Sequence, residues 1–216
     1  MTYLQAINQV LQRLRESTVT QSDSNSYSSL IGVYVNDAKR MVEDAWEWSV
    51  LQQTFSITTS SGIFGYTLQG ADQRTRIFQL LDTTNDVSLL KSTSKQMNRN
   101  FKLGDTQNAQ PIQWDVNGYD SDGQPIINFW PVPDAAYEID VNTIDPQPDL
   151  DTDTDSFLVN SHLVVLAAYA MAVEERGEQG GISAPSAWAR YQESLADAIA
   201  IDASRHHTVE TSWHVV

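Results

Sequence analysis

Cysteine is absent from this chain, so disulfides and thiol chemistry are excluded, and the composition fits synthesis in a reducing cytosol. No stretch reaches the roughly 18 uninterrupted apolar residues of a membrane-spanning helix. The opening Met1-Thr2-Tyr3-Leu4-Gln5 has neither the charged region nor the apolar run of a signal peptide, so no secretion leader is expected. Basic residues are scarce: 13 Lys and Arg stand against 28 Asp and Glu, a net charge of −15. Proteins that grip nucleic acid over a broad surface cluster Lys and Arg, so this balance argues against that class. It is compatible with plain solubility and with a surface that must not adhere to a polyanion.

What is present is enough for a sizeable core. The 216 residues are 41% apolar and can form one domain or two. The organising stretch is Ser28 to Ser49. Ile31, Tyr34, Val35, Ala38, Met41, Val42, Ala45 and Trp46 follow the three–four spacing of one helix face. Asn36, Asp37, Lys39, Arg40, Glu43 and Asp44 occupy the other face. Before it, Thr2 to about Glu16 reads as a helix with Thr2 as N-cap, and the polar run Ser17 to Ser29 as a loop. The two helices are expected to pack as a hairpin.

From Gln53 to Ile144 the apolar period falls to two, the mark of strands. Ser60-Ser61-Gly62 is a turn between Phe55-Ile57 and a returning Phe64-Tyr66-Leu68. Thr83 to Asp86 and Asp120 to Gly123 mark two further hairpins, and Tyr137, Ile139 and Val141 alternate along one more strand. After it, Phe157 to Arg176 is apolar nearly all round, which places it at the centre of a helical body. Gly177, Gly180 and Gly181 break that helix, and Ser183 with Pro185 starts another to about Ser204. The expected fold is α+β: an antiparallel-type bundle of about four helices with an inserted antiparallel β-sandwich or barrel-like domain. Residues 1–52 and 153–205 form the helical part and 53–145 the β-rich insertion. Residues 145–155 form an acidic linker and 206–216 an extended arm.

Catalytic and metal signatures do not assemble. Asp149, Asp151 and Asp153 have the spacing of the first EF-hand ligands, but Thr154 and Asn160 stand where Gly and Glu are needed. His162, His206, His207 and His214 make no zinc pattern. No nucleophile elbow, phosphate loop or dinucleotide fingerprint is present. No catalytic, cofactor or metal residue is therefore assigned, and the chain is not read as an enzyme. Two features invite a contact reading. Lys91, Lys95, Arg99 and Lys102 recur at helical spacing as one basic face, which is either a solvated face or a subunit interface. Its complement would be Asp149, Asp151, Asp153 and Asp155 on the next copy, a heterologous contact that closes rings. Val209, Thr211, Trp213 and Val215 alternate with polar residues. They form either a frayed terminus or an arm that adds a strand to a partner, with Trp213 as anchor.

The order of these pieces resembles the head-to-tail adaptors of short-tailed bacteriophages, the gatekeeper or tail tubular protein A group. Its carriers are the opening helix with Leu4, Ile7, Leu11 and Leu14, and Ala45-Trp46-Glu47-Trp48-Ser49 ahead of a strand. The extended Phe55-to-Leu68 hairpin and Phe129-Trp130-Pro131-Val132-Pro133-Asp134 follow. The Ala-rich Leu163-to-Glu175 helix, a Gly break and a last amphipathic helix complete the set. The resemblance implies a structural virion protein made in the host cytoplasm. It implies a homo-oligomeric ring, typically a dodecamer, at the head–tail neck between portal and tail nozzle or tube, with the genome passing through at ejection. The helical part and C-terminal segment would face the portal and the β part would build the lower tube. It implies no cofactor and no membrane contact. From Asp134 to Asn160 there are eight acids and no Lys or Arg, a stretch that would repel DNA if it lined the lumen. The alternative is a cell-wall polysaccharide-acting or carbohydrate-binding phage protein. Its sugars would stack on Trp46, Trp48, Trp114 and Trp130, with Asp120 and Asp122 as an acidic pair.

Overall fold

The computed structural model describes residues 1–103, 108–177 and 183–205. The chain divides into two units, Met1–Val50 with Gln147–Val216, and Leu51–Pro146.

In the first unit, α1 (Tyr3–Arg13) begins at Thr2, which forms a reciprocal capping box with Gln5. The helix α2 (Ser26–Ala45) begins at Asn25, boxed with Ser28. It ends short of the expected Ser49, because Trp46 turns into extended backbone. The helix α1 lies close on α2. A Cβ on the buried Gly32 would collide with the hydroxyl of Tyr3, so glycine leaves room for that side chain. Two helices follow in the second half of the chain. The first, labelled α4 in chain order (Ser161–Arg176), packs against α1, α2 and α5 (Ala184–Ala203). It is buried on all sides, from Leu163 through Ala170 to Val173. The helix α5 starts after Ser183 with Pro185 in its first turn, where the missing N–H costs nothing.

The polar face read for α2 needs correction. Lys39 and Glu43 are not solvated: both side chains are wholly buried and pair at 3.3 Å. The expected acidic linker is also not a free tether. Residues 147–156 form a strap hydrogen-bonded along the first two helices. Tyr3 N donates to Asp155 O at 2.8 Å, and Asn36 both donates to and accepts from the backbone of Leu150.

The second unit is a curled, half-barrel-like seven-stranded sheet in the order β1-β7-β3-β4-β5-β6-β2. The strands are β1 (Gln52–Thr58), β2 (Gly65–Thr67), β3 (Arg76–Asp82), β4 (Val87–Lys91), β5 (Gln113–Tyr119), β6 (Pro125–Trp130) and β7 (Glu138–Ile144). The hairpins β3–β4 and β5–β6 form at the expected turns. The hairpin expected between β1 and β2 does not. The strand β2 crosses to pair with β6, and β1 pairs with β7 in full register. The antiparallel expectation also fails at one place, since β4 and β5 run parallel. That connection requires a crossover, which α3 (Ser94–Leu103) supplies. Ile57, Leu80, Trp114, Phe129, Ile139 and Val141 fill one face of the sheet.

Candidate assembly surfaces

The basic segment is split by the structure. Lys95, Arg99 and Lys102 lie exposed on α3, whereas Lys91 ends β4 and sits 5.1 Å over the Trp114 ring. The four residues are therefore not one helix face. The helix α3 is tied down by buried Met97 and by Phe101, whose ring meets Phe64 at 4.7 Å. Its start is held from beneath. Asp115 on β5 is almost fully enclosed and bonds Ser94 and Asn128. Burial raises its carboxyl above the ordinary value of 3.8, against those hydrogen bonds, which lower it. Asp115 Oδ1 and the neighbouring Gln113 Oε1 are buried without a partner among the described residues.

Three of the four acids of the strap, Asp149, Asp153 and Asp155, have partners in their own chain. Asp149 pairs with Arg40, with one bond of 3.1 Å from Nε, and Asp153 accepts from Ser22 N at 3.0 Å. Asp155 closes its own turn, accepting from Thr152 N at 2.8 Å and from Asp151 N at 3.0 Å. The Thr152 hydroxyl also donates to it and is the main reason its carboxyl titrates below the usual value. Asp151 is exposed beside them. The strap thus holds Asp149 and Asp151 exposed and Asp153 and Asp155 half-buried.

A third cluster gathers around Asp202. Asp202, near the end of α5, is 5% exposed and accepts from Trp46 Nε1 at 3.2 Å, Ser49 N at 3.1 Å and Ser49 Oγ at 2.6 Å. It fastens the end of α5 to the segment after α2. Beside it lies a groove of about 330 Å³ with exposed Val50, Leu158 and Ile201 on its walls. The only hint in sequence was an acid on an otherwise apolar stripe, which does not distinguish a cap from a solvated residue.

The remaining candidates fall out as follows. Trp48 and Trp114 are buried, and Trp48 Nε1 donates to Val42 O, so neither offers a face for a sugar. Asp120 caps its own turn through Asp122 N and Gln124 N. Val209, Thr211, Trp213 and Val215 lie outside the described residues, as do His206, His207 and His214. No helix among the described residues is long and apolar enough to cross a membrane.

Among the described residues these polar side chains cap turns, seat a strap and close helix ends. A family model described as SU10 adaptor protein matches residues 1–213, and the chain belongs to that family of phage head–tail adaptors. It is accordingly a virion component. The match does not extend to the gatekeeper or tail tubular protein A subtype. A comparison with curated proteins finds no match.

Proposed function

We propose that copies of this chain form a ring, a dodecamer, seated between the portal and the tail nozzle or tube, and that the genome leaves through its channel. The observation that carries this reading is the family match over residues 1–213, on a chain whose net charge is −15. A DNA conduit works best when its walls do not hold phosphates, and an acidic wall lets a polyanion slide. In this reading the helical unit faces the portal. The exposed Lys95, Arg99 and Lys102 of one copy face acidic strap residues of the next, Asp151 foremost. The test is to mix the purified chain with its portal and image the product. A ring of density capping the portal is expected. Phage particles with an occupied neck that lacks this chain would overturn the reading.

A further inference from the structure

We propose that Asp115 is a proton-operated catch for the start of α3. With a proton on Oδ1 it donates to Gln113 Oε1 and holds the helix through Ser94. When that proton leaves, the first turn of α3 lets go of the sheet. The catch asks nothing of the ring reading above; only its consequence for assembly rests on it.

Trp114 and Val116 turn one face of β5 to the main core, so Gln113 and Asp115 share the other face. The helix α3 packs over β5, and Asp115 is 2% exposed. Its hydrogen-bond partners are Ser94, at the start of α3, and Asn128, opposite it on β6. Both must serve Oδ2, because Oδ1 is buried with no partner among the described residues. Gln113 Oε1 is in the same position. Enclosed acceptors without a donor are costly, and folded proteins seldom keep two on one strand face. Residues two apart on a strand stand about 7 Å from each other, a gap that an Asp and a Gln side chain close between them. One proton on Oδ1 makes that atom a donor and serves both acceptors at once.

An ionised Asp115 has no such remedy. The strands β4 and β6 and the helix α3, which contact β5, bring Lys91, Lys95, Arg99 and Lys102 as their charged groups. All four are exposed, and Lys91 sits over the Trp114 ring. Burial is the leading cause of the raised carboxyl, the Ser94 and Asn128 bonds pull the other way, and no neighbouring charge is among the causes. Water reaches Oδ1 when its cover moves, and the part of the cover bonded to Asp115 is the first turn of α3. Further along, buried Met97 and the contact of Phe101 with Phe64 hold the helix independently, so release is confined to its start. If the basic face of α3 meets a second copy, as read above, Lys95 is displaced with that turn and assembly weakens over the same pH range.

The test uses the full chain with isotope-labelled Asp carboxyl and Gln side-chain carbonyl groups, followed by NMR as pH is raised from about 4 to 7. Amide exchange at Gln96 and Met97, both bonded to Thr93 at the helix start, is read in the same samples and corrected for its intrinsic pH dependence. Seating favours the protonated carboxyl. Its contribution is therefore whole below the ordinary carboxylate value and lost as pH rises through the raised one. The expected result is Asp115 titrating above the exposed aspartates, with the Gln113 carbonyl signal moving at the same midpoint. Exchange at both amides should rise in step, by about tenfold in total for each unit of that separation. Asp115→Asn, whose amide donates where the acid does, should keep both amides protected at every pH. The wild-type readings stand without the variant. Three results would each overturn the proposal. Asp115 titrating among the exposed aspartates would mean a Gln113 amide turned to offer Nε2 to a carboxylate. A Gln113 signal that ignores the Asp115 midpoint would mean that the proton is not shared. Protection at Gln96 and Met97 that stays constant across the midpoint would mean that the proton does not hold α3. None of these readings involves the portal, so their failure leaves the adaptor reading intact, and an empty neck would leave the catch intact.

Discussion

Lys39 and Glu43, four residues apart on α2, pair at 3.3 Å with both side chains fully enclosed, and both also reach the backbone of Gln147. The pair is therefore the anchor that fastens the first residue of the strap to α2. Desolvating two charges is costly, so such a pair is tolerated only where its remaining valences are met. Here Gln147 O accepts from Lys39 and Gln147 N donates to Glu43 at 3.3 Å.

Removing one partner leaves a buried charge without its counter-ion. Glu43→Ala and Lys39→Ala should each lower unfolding free energy by about 3–5 kcal/mol. The double replacement Lys39→Met with Glu43→Leu should cost much less than the sum of the two. Urea melts of the three proteins check this. Additive losses would mean that the two charges do not act as a unit.

The strap has a second fastening. The side-chain amide of Asn36 bonds Leu150 N at 3.0 Å and Leu150 O at 3.1 Å, as a strand partner would. Asn36→Ala forfeits both and leaves two backbone groups to find water, a loss of about 1–3 kcal/mol. Arg40→Ala removes exposed pairs, with Asp149 and with Asp37, and should cost about 0–1 kcal/mol. Hydrogen exchange at Leu150 should rise in the Asn36 variant and stay near wild type in the Arg40 variant.

How far these features could be read from residues alone follows from their range. The Thr2 cap, the Ser183-and-Pro185 start, the apolar α4 and the β3–β4 and β5–β6 hairpins depend on neighbours in sequence, and the reading finds them. The pairing of β2 with β6 and the parallel β4–β5 contact depend on segments far apart, which periodicity cannot rank. Lys39 and Glu43 have the spacing of an ordinary surface pair. Only the strap that covers them makes them interior, and the strap itself looks like a linker because its acids suit solvent equally well. Asp202 fails for the same reason: its donors, Trp46 and Ser49, are over 150 positions away.

Acid titration should expose the buried carboxyls. Burial raises both Asp115 and Asp145 above their ordinary 3.8. A carboxyl raised in the folded state binds its proton more tightly there than in the unfolded chain. Its stabilising contribution is complete below the unfolded value and is lost as pH rises through the folded one. Asp115→Asn should therefore match or exceed wild-type stability at pH 7. It should also flatten the decline that wild type shows as pH rises from the ordinary carboxylate value. Thermal melts across pH 4 to 7 measure it. A variant that is less stable at pH 7 and unchanged in slope would show that the Ser94 and Asn128 bonds outweigh the burial.

The basic face of α3 gives the last prediction, which separates assembly from folding. Lys95 and Arg99 are exposed on α3, and no ion pair of theirs is seen among the described residues. Reversing them with Lys95→Glu and Arg99→Glu should leave monomer stability within about 0.5 kcal/mol, as surface changes usually do. If the face meets acids of the next copy, the same change replaces attraction by repulsion at every junction of the ring. Portal-templated assembly should then fall at low ionic strength. Above about 0.5 M salt the defect should shrink, because screening lengths drop below the spacing of surface charges. The neutral pair Lys95→Gln and Arg99→Gln should fall between wild type and reversal. Sedimentation of portal mixtures at two salt concentrations reads all of this. Equal assembly by the three proteins at low salt would assign the α3 face to solvent.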